Sequence, residues 1–386
     1  MKTVSDVDIE GEKVLLRTDL NLPIEDGEPQ ATVRFRRYLE TIKELSERGA
    51  KTVVVAHQGR PGREDFTSLE KHAGMISDSL EEEAEFIKSF FGSELSNTVK
   101  DMEKGDVALL ENIRFLSEEL RNADPEDHAE DIFVNRMASE FDIYVDDAFS
   151  AAHRSHGSMV GFTEHLDSYA GPVMSNELKS CGKVRDRFEN GLLVLGGEKP
   201  SDLIGIMQEM IDSVEKVLLG GVPGELALII KGYNLEEKEE WIREKGLDER
   251  EDDLRKMLEE YGDKIILPED LRTADGVHEV GNLSGEMVWD IGPETEEKFA
   301  EEIRNADSVV MKGPIGAFED HPQGTKALVD AAAESDGYTV LGGGHTSSLV
   351  QRFDHSLDDF SHVSIAGGAF VNYLSGEKLA AVEALK

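Results

Sequence analysis

The chain has 386 residues, 39% of them hydrophobic, with one cysteine, Cys181; the length is too great for one compact core and calls for two domains. A lone cysteine excludes an intramolecular disulfide and a cysteine-rich metal site. Asp and Glu number 81 against 41 Lys and Arg, a formal net charge of −40 spread through every region, which excludes nucleic acid and anionic membrane as general partners.

An acidic excess this dispersed makes a folded chain repel itself in dilute buffer, so it reads as adaptation to a cytoplasm held at multimolar salt. Loss of activity on dialysis into low salt would follow from that reading, while an ordinary acidic protein would keep its activity and melting curve. The same repulsion argues for a monomer. The N-terminal stretch MKTVSDVDIEGEK has no apolar run after its charge, and no segment approaches the ~18 apolar residues of a membrane span, so cytoplasmic residence is expected.

Taken in chain order, short apolar runs recur: KVLLRTDL from Lys13, KTVVVAH from Lys51, DVALLE from Asp106, DIYVDD from Asp142 and LLVLGG from Leu192. They continue with KVLLGG from Lys216, KIILPED from Lys264, DSVVMKG from Asp307, YTVLGGG from Tyr338 and HVSIAGG from His362. Continuous apolar runs indicate strands buried on both faces, and helical spacing between them indicates parallel sheets covered by helices. About ten strands exceed what one such sheet carries comfortably. The expected fold is therefore α/β, with two doubly wound, Rossmann-like domains joined by a hinge helix.

The junction is placed near Tyr169-Ala170-Gly171-Pro172, giving domains 1–170 and 171–375, with an interdomain helix over 173–190. The charge-dense stretch 232–263 predicts a solvated surface helix pair with a thin apolar seam, where Glu237 and Trp241, or Leu254 and Leu258, fall one turn apart. The run EEEAEF, Glu81 to Phe86, is read the same way.

Ligands of open parallel sheets bind beyond the carboxyl ends of the strands. In the first half those ends carry Asp19 and Asn21, His57 and Arg60, Arg114, then Asp146, Asp147, His153, Arg154 and His156. Of nineteen arginines, thirteen precede residue 190. A guanidinium fork suits phosphate and carboxylate, so Arg34, Arg60, Arg114 and Arg154 just past strands or turns suggest a small anionic ligand. Ion pairing with the abundant acids is the alternative for any single arginine. His153 and His156 lack the partners of a tetrahedral metal site, while Asp146 and Asp147 suit either a divalent ion or a turn cap.

In the second half the strand ends carry glycines: Gly196-Gly197 before Lys199, Gly220-Gly221, Gly313 and Gly316, Gly342 to Gly344, and Gly367-Gly368. Bare amides at successive strand ends make a bed for phosphates. Neither GxxxxGK[ST] nor a clean GxGxxG is present, which excludes a Walker-type ATPase. Anion-binding side chains on one domain and phosphate-binding backbone on the other describe a two-substrate phosphoryl transferase.

The ordered motifs RTDLNLP, AHQGRP, LLENIRF, DIYVDDAFSAAHRSHGS, LGGEKPSD, DIGP, KGPIGAFE, GGGHT and HVSIAGGA resemble the phosphoglycerate kinase family, most closely its archaeal branch, over nearly the whole chain. The resemblance implies phosphoryl transfer between 1,3-bisphosphoglycerate and ADP, giving 3-phosphoglycerate and ATP, with Mg²⁺. It assigns Asp19, Asn21, Arg34, His57, Arg60, Arg114 and Arg154 to phosphoglycerate, with Arg34 and Lys199 as the catalytic pair. Lys199, Gly313, Glu319, Gly342, Gly343, Gly344 and His345 fall to the nucleotide, Glu319 at the ribose. It also implies that the C-terminal helix, about 376–386, returns to the first domain.

Three positions depart from bacterial and eukaryotic members: Leu203 stands for a second lysine, Met311-Lys312 for a Trp-Asn pair, and His345 for a metal-associated aspartate. A histidine is a poor ligand for hard Mg²⁺, so the metal is expected on nucleotide oxygens and water. Lys312 is expected to offset the cation missing at Leu203. Two rival readings stay in view: a nicotinamide-dependent dehydrogenase, which leaves the arginine-histidine cluster unexplained, and a binding protein that has lost turnover.

Overall fold

The computed structural model describes residues 1–185, 191–235, 237–283, 286–343, 346–374 and 376–386. All ten apolar runs form strands, and two more join them. The first sheet contains β1 (Lys13–Arg17), β2 (Lys51–Val55), β3 (Ala84–Ile87), β4 (Val107–Leu110), β5 (Ile143–Asp146) and β6 (Asp167–Ala170). Its spatial order is β3-β4-β2-β1-β5-β6, and every pairing is parallel. The second contains β7 (Gly191–Leu195), β8 (Lys216–Leu219), β9 (Ile265–Ile266), β10 (Ser308–Lys312), β11 (Tyr338–Gly342) and β12 (His362–Ser364). These lie in the order β9-β8-β7-β10-β11-β12, again all parallel.

The run VLLR of β1 is buried along its length because helices cover both faces. Leu15, Val53, Ala108 and Tyr144 meet Phe133 and Phe162 in one core. Val194, Val309 and Leu341 meet Phe299, Leu328 and Val350 in another. In each sheet the first strand in sequence lies centrally and the chain winds outward in both directions. That leaves one switch point per sheet, between β1 and β5 and between β7 and β10, where the strand ends open a crevice.

The chain folds into two compact units, the first made of 1–179 with 377–386 and the second of 180–376. The division falls inside the helix Pro172–Arg185, and residues 186–190 of the expected interdomain helix lie outside the described residues. In the C-terminal segment, the helix Ala380–Ala384 buries Ala381 and Val382, and the Ala381 amide donates to the Ala152 carbonyl at 3.0 Å.

Two expectations need correction. EEEAEF does not run as a helix: the helix Glu70–Leu80 ends with Glu81 in the left-handed region at φ 58°, and Ala84–Ile87 is an edge strand with Ala84 and Ile87 buried. Charged residues on an edge strand block pairing with other chains, and four residues are too few to show a period of two against so many acids. Just before the expected junction at Tyr169–Pro172, Asp167–Ala170 forms the opposite edge strand. The stretch 232–263 does give helices, Glu237–Glu244 and Glu251–Tyr261, but the first buries Lys238 as well as Ile242. A small antiparallel sheet of Asp270–Thr273, Val277–Glu279 and Val288–Ile291 was also not anticipated.

Candidate active site

In the first unit, the residues just past β1, β2, β4 and β5 converge with the first turn of the helix Val33–Glu47. Thr32 caps that helix by accepting from the Phe35 amide at 3.3 Å, so Arg34 projects from a helix N-terminus that itself favours anions. Arg34 Nη1 lies 3.3 Å from Asp19 Oδ2, which also accepts from the Ser150 hydroxyl. Asp19 Oδ1 accepts from the Asn21 amide at 2.9 Å, and Asn21 Oδ1 accepts from the Gly59 amide at 2.8 Å. Burial alone would raise the Asp19 pKa. Arg34, His57, Ser150 and the Asn21 amide overcome that and hold it well below the usual carboxylate range.

Beneath these groups runs a chain that begins in the strand itself. Arg17, buried within β1, donates from Nε to Ser158 Oγ at 2.8 Å; Ser158 in turn donates from Oγ and N to Glu119 at 2.8 and 2.7 Å. Arg17 Nη2 lies 3.1 Å from His57 Nδ1. A guanidinium can only donate, so Nδ1 accepts and the ring proton sits on Nε2. Arg114 donates from Nη1 to the Gly59 carbonyl, and Arg154 Nε lies 3.3 Å from His153 Nε2.

The cations raise one another's cost. Burial first, then Arg154 and Arg17, lower the Arg114 pKa to about 10; burial and then Arg60 lower that of Arg154. Arg60 itself is exposed at the mouth. Seven sequence-assigned residues thus meet in one basic site, and Arg17 joins them. A concentrated positive field only partly offset by Asp19 and Glu119 is poor for stability and good for a small polyanion.

The histidines add no charge to that field. Burial, with the surrounding arginines, lowers His57 well below 6.5 and His156 to about 3. For such a group, stability is fully present above the unfolded value of 6.5 and is lost as pH falls toward the folded value. Asp146 and Asp147, pushed up by burial to about 7 and about 6, act in the opposite sense, gaining stability as pH falls through those values toward 3.8. The expected result is that ring proton signals of His57 and His156 stay at neutral-imidazole positions from pH 8 to about 5.5. Titration of either ring near its free value would contradict the geometry.

Asp147 has a structural task rather than a metal one. It accepts from Thr41 Oγ1 at 2.6 Å and from the Met174 amide at 2.9 Å, so it caps the helix Pro172–Arg185.

In the second unit a cavity of about 590 Å³ opens past β7, β8 and β10. Gly196, Gly197, Gly313 and Gly343 line it, joined by Lys199, Lys312 and Glu319. Lys199 occupies the N-cap of the helix Pro200–Met210, and Leu203 lies buried in its first turn and faces the same cavity. At the switch point the strand ends touch. Gly313 has φ 77°, and a Cβ there would lie 2.1 Å from the Gly196 carbonyl oxygen. Only glycine fits. Arg352 braces the segment at Glu319 by donating to the Glu319 carbonyl at 2.6 Å.

Of the residues assigned to nucleotide, Lys199, Gly313, Glu319 and Gly343 line the cavity. Gly342 stands one step behind, at the end of β11, where a Cβ would meet the Phe370 ring at 2.9 Å. Gly344 and His345 lie outside the described residues.

Sequence reasoning missed Glu225, Lys238, Trp241, Met287 and Trp289, which also line the cavity. The small antiparallel sheet delivers Trp289, stacked on His321 at 5.5 Å and 13°. A tryptophan in a helix whose other residues, Ile242 apart, are Glu, Lys and Arg was the signal available for Trp241.

The phosphoglycerate kinase family model matches residues 4–377. The chain is 42% identical over 388 residues to phosphoglycerate kinase of Halorubrum lacusprofundi, covering 97% of this chain and 95% of the relative. It is 38% identical over 405 residues to that of Haloarcula marismortui, covering 100% and 99%. The crystal structure of phosphoglycerate kinase from Pyrococcus horikoshii superposes with a TM-score of 0.93 at 32% identity, covering 100% of this chain and 98% of that one. For the Coxiella burnetii phosphoglycerate kinase structure the TM-score is 0.83 at 30% identity, with 99% and 98% covered. A basic anion site past one doubly wound sheet, a glycine-lined cavity past the other and full-length similarity agree: the chain is an enzyme of the phosphoglycerate kinase family.

Proposed function

We propose that the chain transfers a phosphoryl group between 1,3-bisphosphoglycerate and ADP, giving 3-phosphoglycerate and ATP. The observation that supports it most is the convergence of Arg17, Arg34, Arg60, Arg114 and Arg154 at the first switch point of a protein with net charge −40. In this reading Asp19, Asn21, Arg34, His57, Arg60, Arg114 and Arg154 hold the phosphoglycerate. Asp19 turns Arg34, Asn21 orders the Gly59 loop, and His57 offers Nε2–H as a neutral donor. Lys199 and the amides at Gly196, Gly197, Gly313 and Gly343 hold the nucleotide phosphates, with Glu319 at the ribose.

In the direction that consumes ATP, the nucleophile is a carboxylate already ionised at neutral pH, so no general base is needed. The protein's share of the work is in-line positioning, exclusion of water, and cations against the charge on the transferring group. Arg34 serves from the first unit and Lys199 from the second. Transfer requires the two units to close, with the helix Pro172–Arg185 as hinge.

Among the described residues no cluster of three or more His, Cys, Asp or Glu side chains could hold a metal ion. The cavity instead presents lysines and bare amides, which suit phosphates; Mg²⁺ therefore fits as an ion carried on nucleotide oxygens and water. When bound, it neutralises charge between the phosphates. Leu203 leaves the first turn of its helix without a cation, and Lys312, at the end of β10, lines the same cavity. Lys312→Asn is expected to weaken ADP binding about tenfold, the scale of one charge-assisted contact. Unchanged affinity by calorimetry would refute the compensation.

The same reading makes the enzyme a cytoplasmic monomer adapted to high salt. It is tested by coupled assay of ATP formation from 1,3-bisphosphoglycerate and ADP in molar KCl, repeated after dialysis into low salt. Absence of ATP formation in KCl overturns the reaction. Full activity after dialysis overturns the salt adaptation alone.

A further inference from the structure

The lining of the nucleotide cavity is of two kinds. Glycine amides and lysines suit phosphates, while Trp241, Met287 and Trp289 offer the apolar and aromatic surface that suits a base, and so mark a base end. That end also holds a buried ion pair. Glu225, on the helix Gly221–Ile230, is 4% exposed and Lys238 is 8% exposed; Lys238 Nζ lies 3.4 Å from Glu225 Oε2. The ammonium also donates to the Val288 carbonyl at 3.1 Å and sits 4.8 Å from the centre of the Trp241 ring.

Burying two charges beside aromatic rings is a poor way to stabilise a fold, since apolar residues of similar size serve as well or better. The hydrogen-bonding capacity of the pair is also unbalanced. An ammonium has three donors, and the Val288 carbonyl takes one of them, while Glu225 Oε2 lies within ion-pair distance without a hydrogen bond. A carboxylate has about four acceptor sites, and among the described residues Lys238 is the one polar partner found for Glu225. The surplus at the base end is acceptor, held in place by a fixed cation.

We propose that Glu225, anchored by Lys238, accepts a hydrogen bond from the exocyclic amino group of a purine base and so selects aminopurine nucleoside diphosphates. The proposal rests on the nucleotide reading of this cavity. A buried polar group that loses its partner discriminates strongly against ligands lacking the matching group.

Trp241 and Trp289 are the chain's two tryptophans, and both line the cavity, so intrinsic fluorescence reports its occupancy directly. The full chain is titrated with ADP and with purine riboside 5′-diphosphate, which carries hydrogen in place of the amino group, with calorimetry as the second readout. ADP is expected to bind at least about tenfold tighter, and Glu225→Gln to shrink that ratio below about threefold, chiefly by weakening ADP. Equal affinities in the unaltered protein overturn the proposal whether or not the variant folds. So does a variant that weakens both ligands equally, because that marks a structural role. Binding of neither ligand overturns the nucleotide reading itself.

Discussion

Lys199→Ala and Arg34→Ala should each slow ATP formation by about 10²–10³-fold, the cost of removing one group aimed at charge that develops in the transition state. Neither should unfold the protein. Arg34 is partly exposed on the first turn of its helix and touches Asp19 from one side only, and Asp19 keeps the Ser150 hydroxyl and the Asn21 amide without it. Lys199 caps its helix without a side-chain hydrogen bond to the first turn, and Pro200 already fixes the first helical position. Both variants should therefore melt within a few degrees of the parent. The kinetic split is informative: Arg34→Ala should also raise the KM for phosphoglycerate, and Lys199→Ala that for the nucleotide. Near-normal turnover in both would remove these residues from the chemistry.

The second large effect is expected at the second sheet's switch point. Gly313→Ala puts a methyl group where the Gly196 carbonyl already sits and forces a left-handed φ on a residue with a Cβ. The ends of β7 and β10 must then part, because backbone cannot yield as a side chain does. Since Gly196, Gly197 and Gly313 line the cavity together and are proposed to hold the nucleotide phosphates, ADP affinity should fall by more than about tenfold and stability by a few kcal/mol. Calorimetric titration and a melting curve check both. A variant that binds ADP normally would show that the strand-end amides are not the phosphate bed.

How much of this was legible beforehand follows from what each residue does. The ten principal strands declare themselves because burial on both faces leaves continuous apolar runs. The glycines of the second unit and most of the cation cluster lie just past those runs, where an open sheet places ligands, so position in the pattern located them. Arg17 escaped because it sits inside a strand, one residue before the loop where binding groups are sought; the signal was a charge ending the run VLLR. The base end escaped for a different reason. In a chain where about a third of residues are charged, a lysine within EKEEW looks like solvated surface. What buries Lys238 is packing against Glu225 and the carbonyl of Val288, 13 and 50 residues away in sequence, and no local pattern encodes that. The edge strands β3 and β6 and the small antiparallel sheet are short and depend on their neighbours rather than on a pattern of their own.

The return of residues 377–386 to the first unit makes that unit discontinuous in sequence, with the whole of the second unit inserted between its two parts. Joining the helix that buries Ala381 and Val382 to residues 1–179 means closing a loop as long as the second unit, and an unfolded loop of that length carries an entropic cost. Folding of the second unit shortens the effective loop, so the order of events favours completing 180–376 before the first unit gains its last helix.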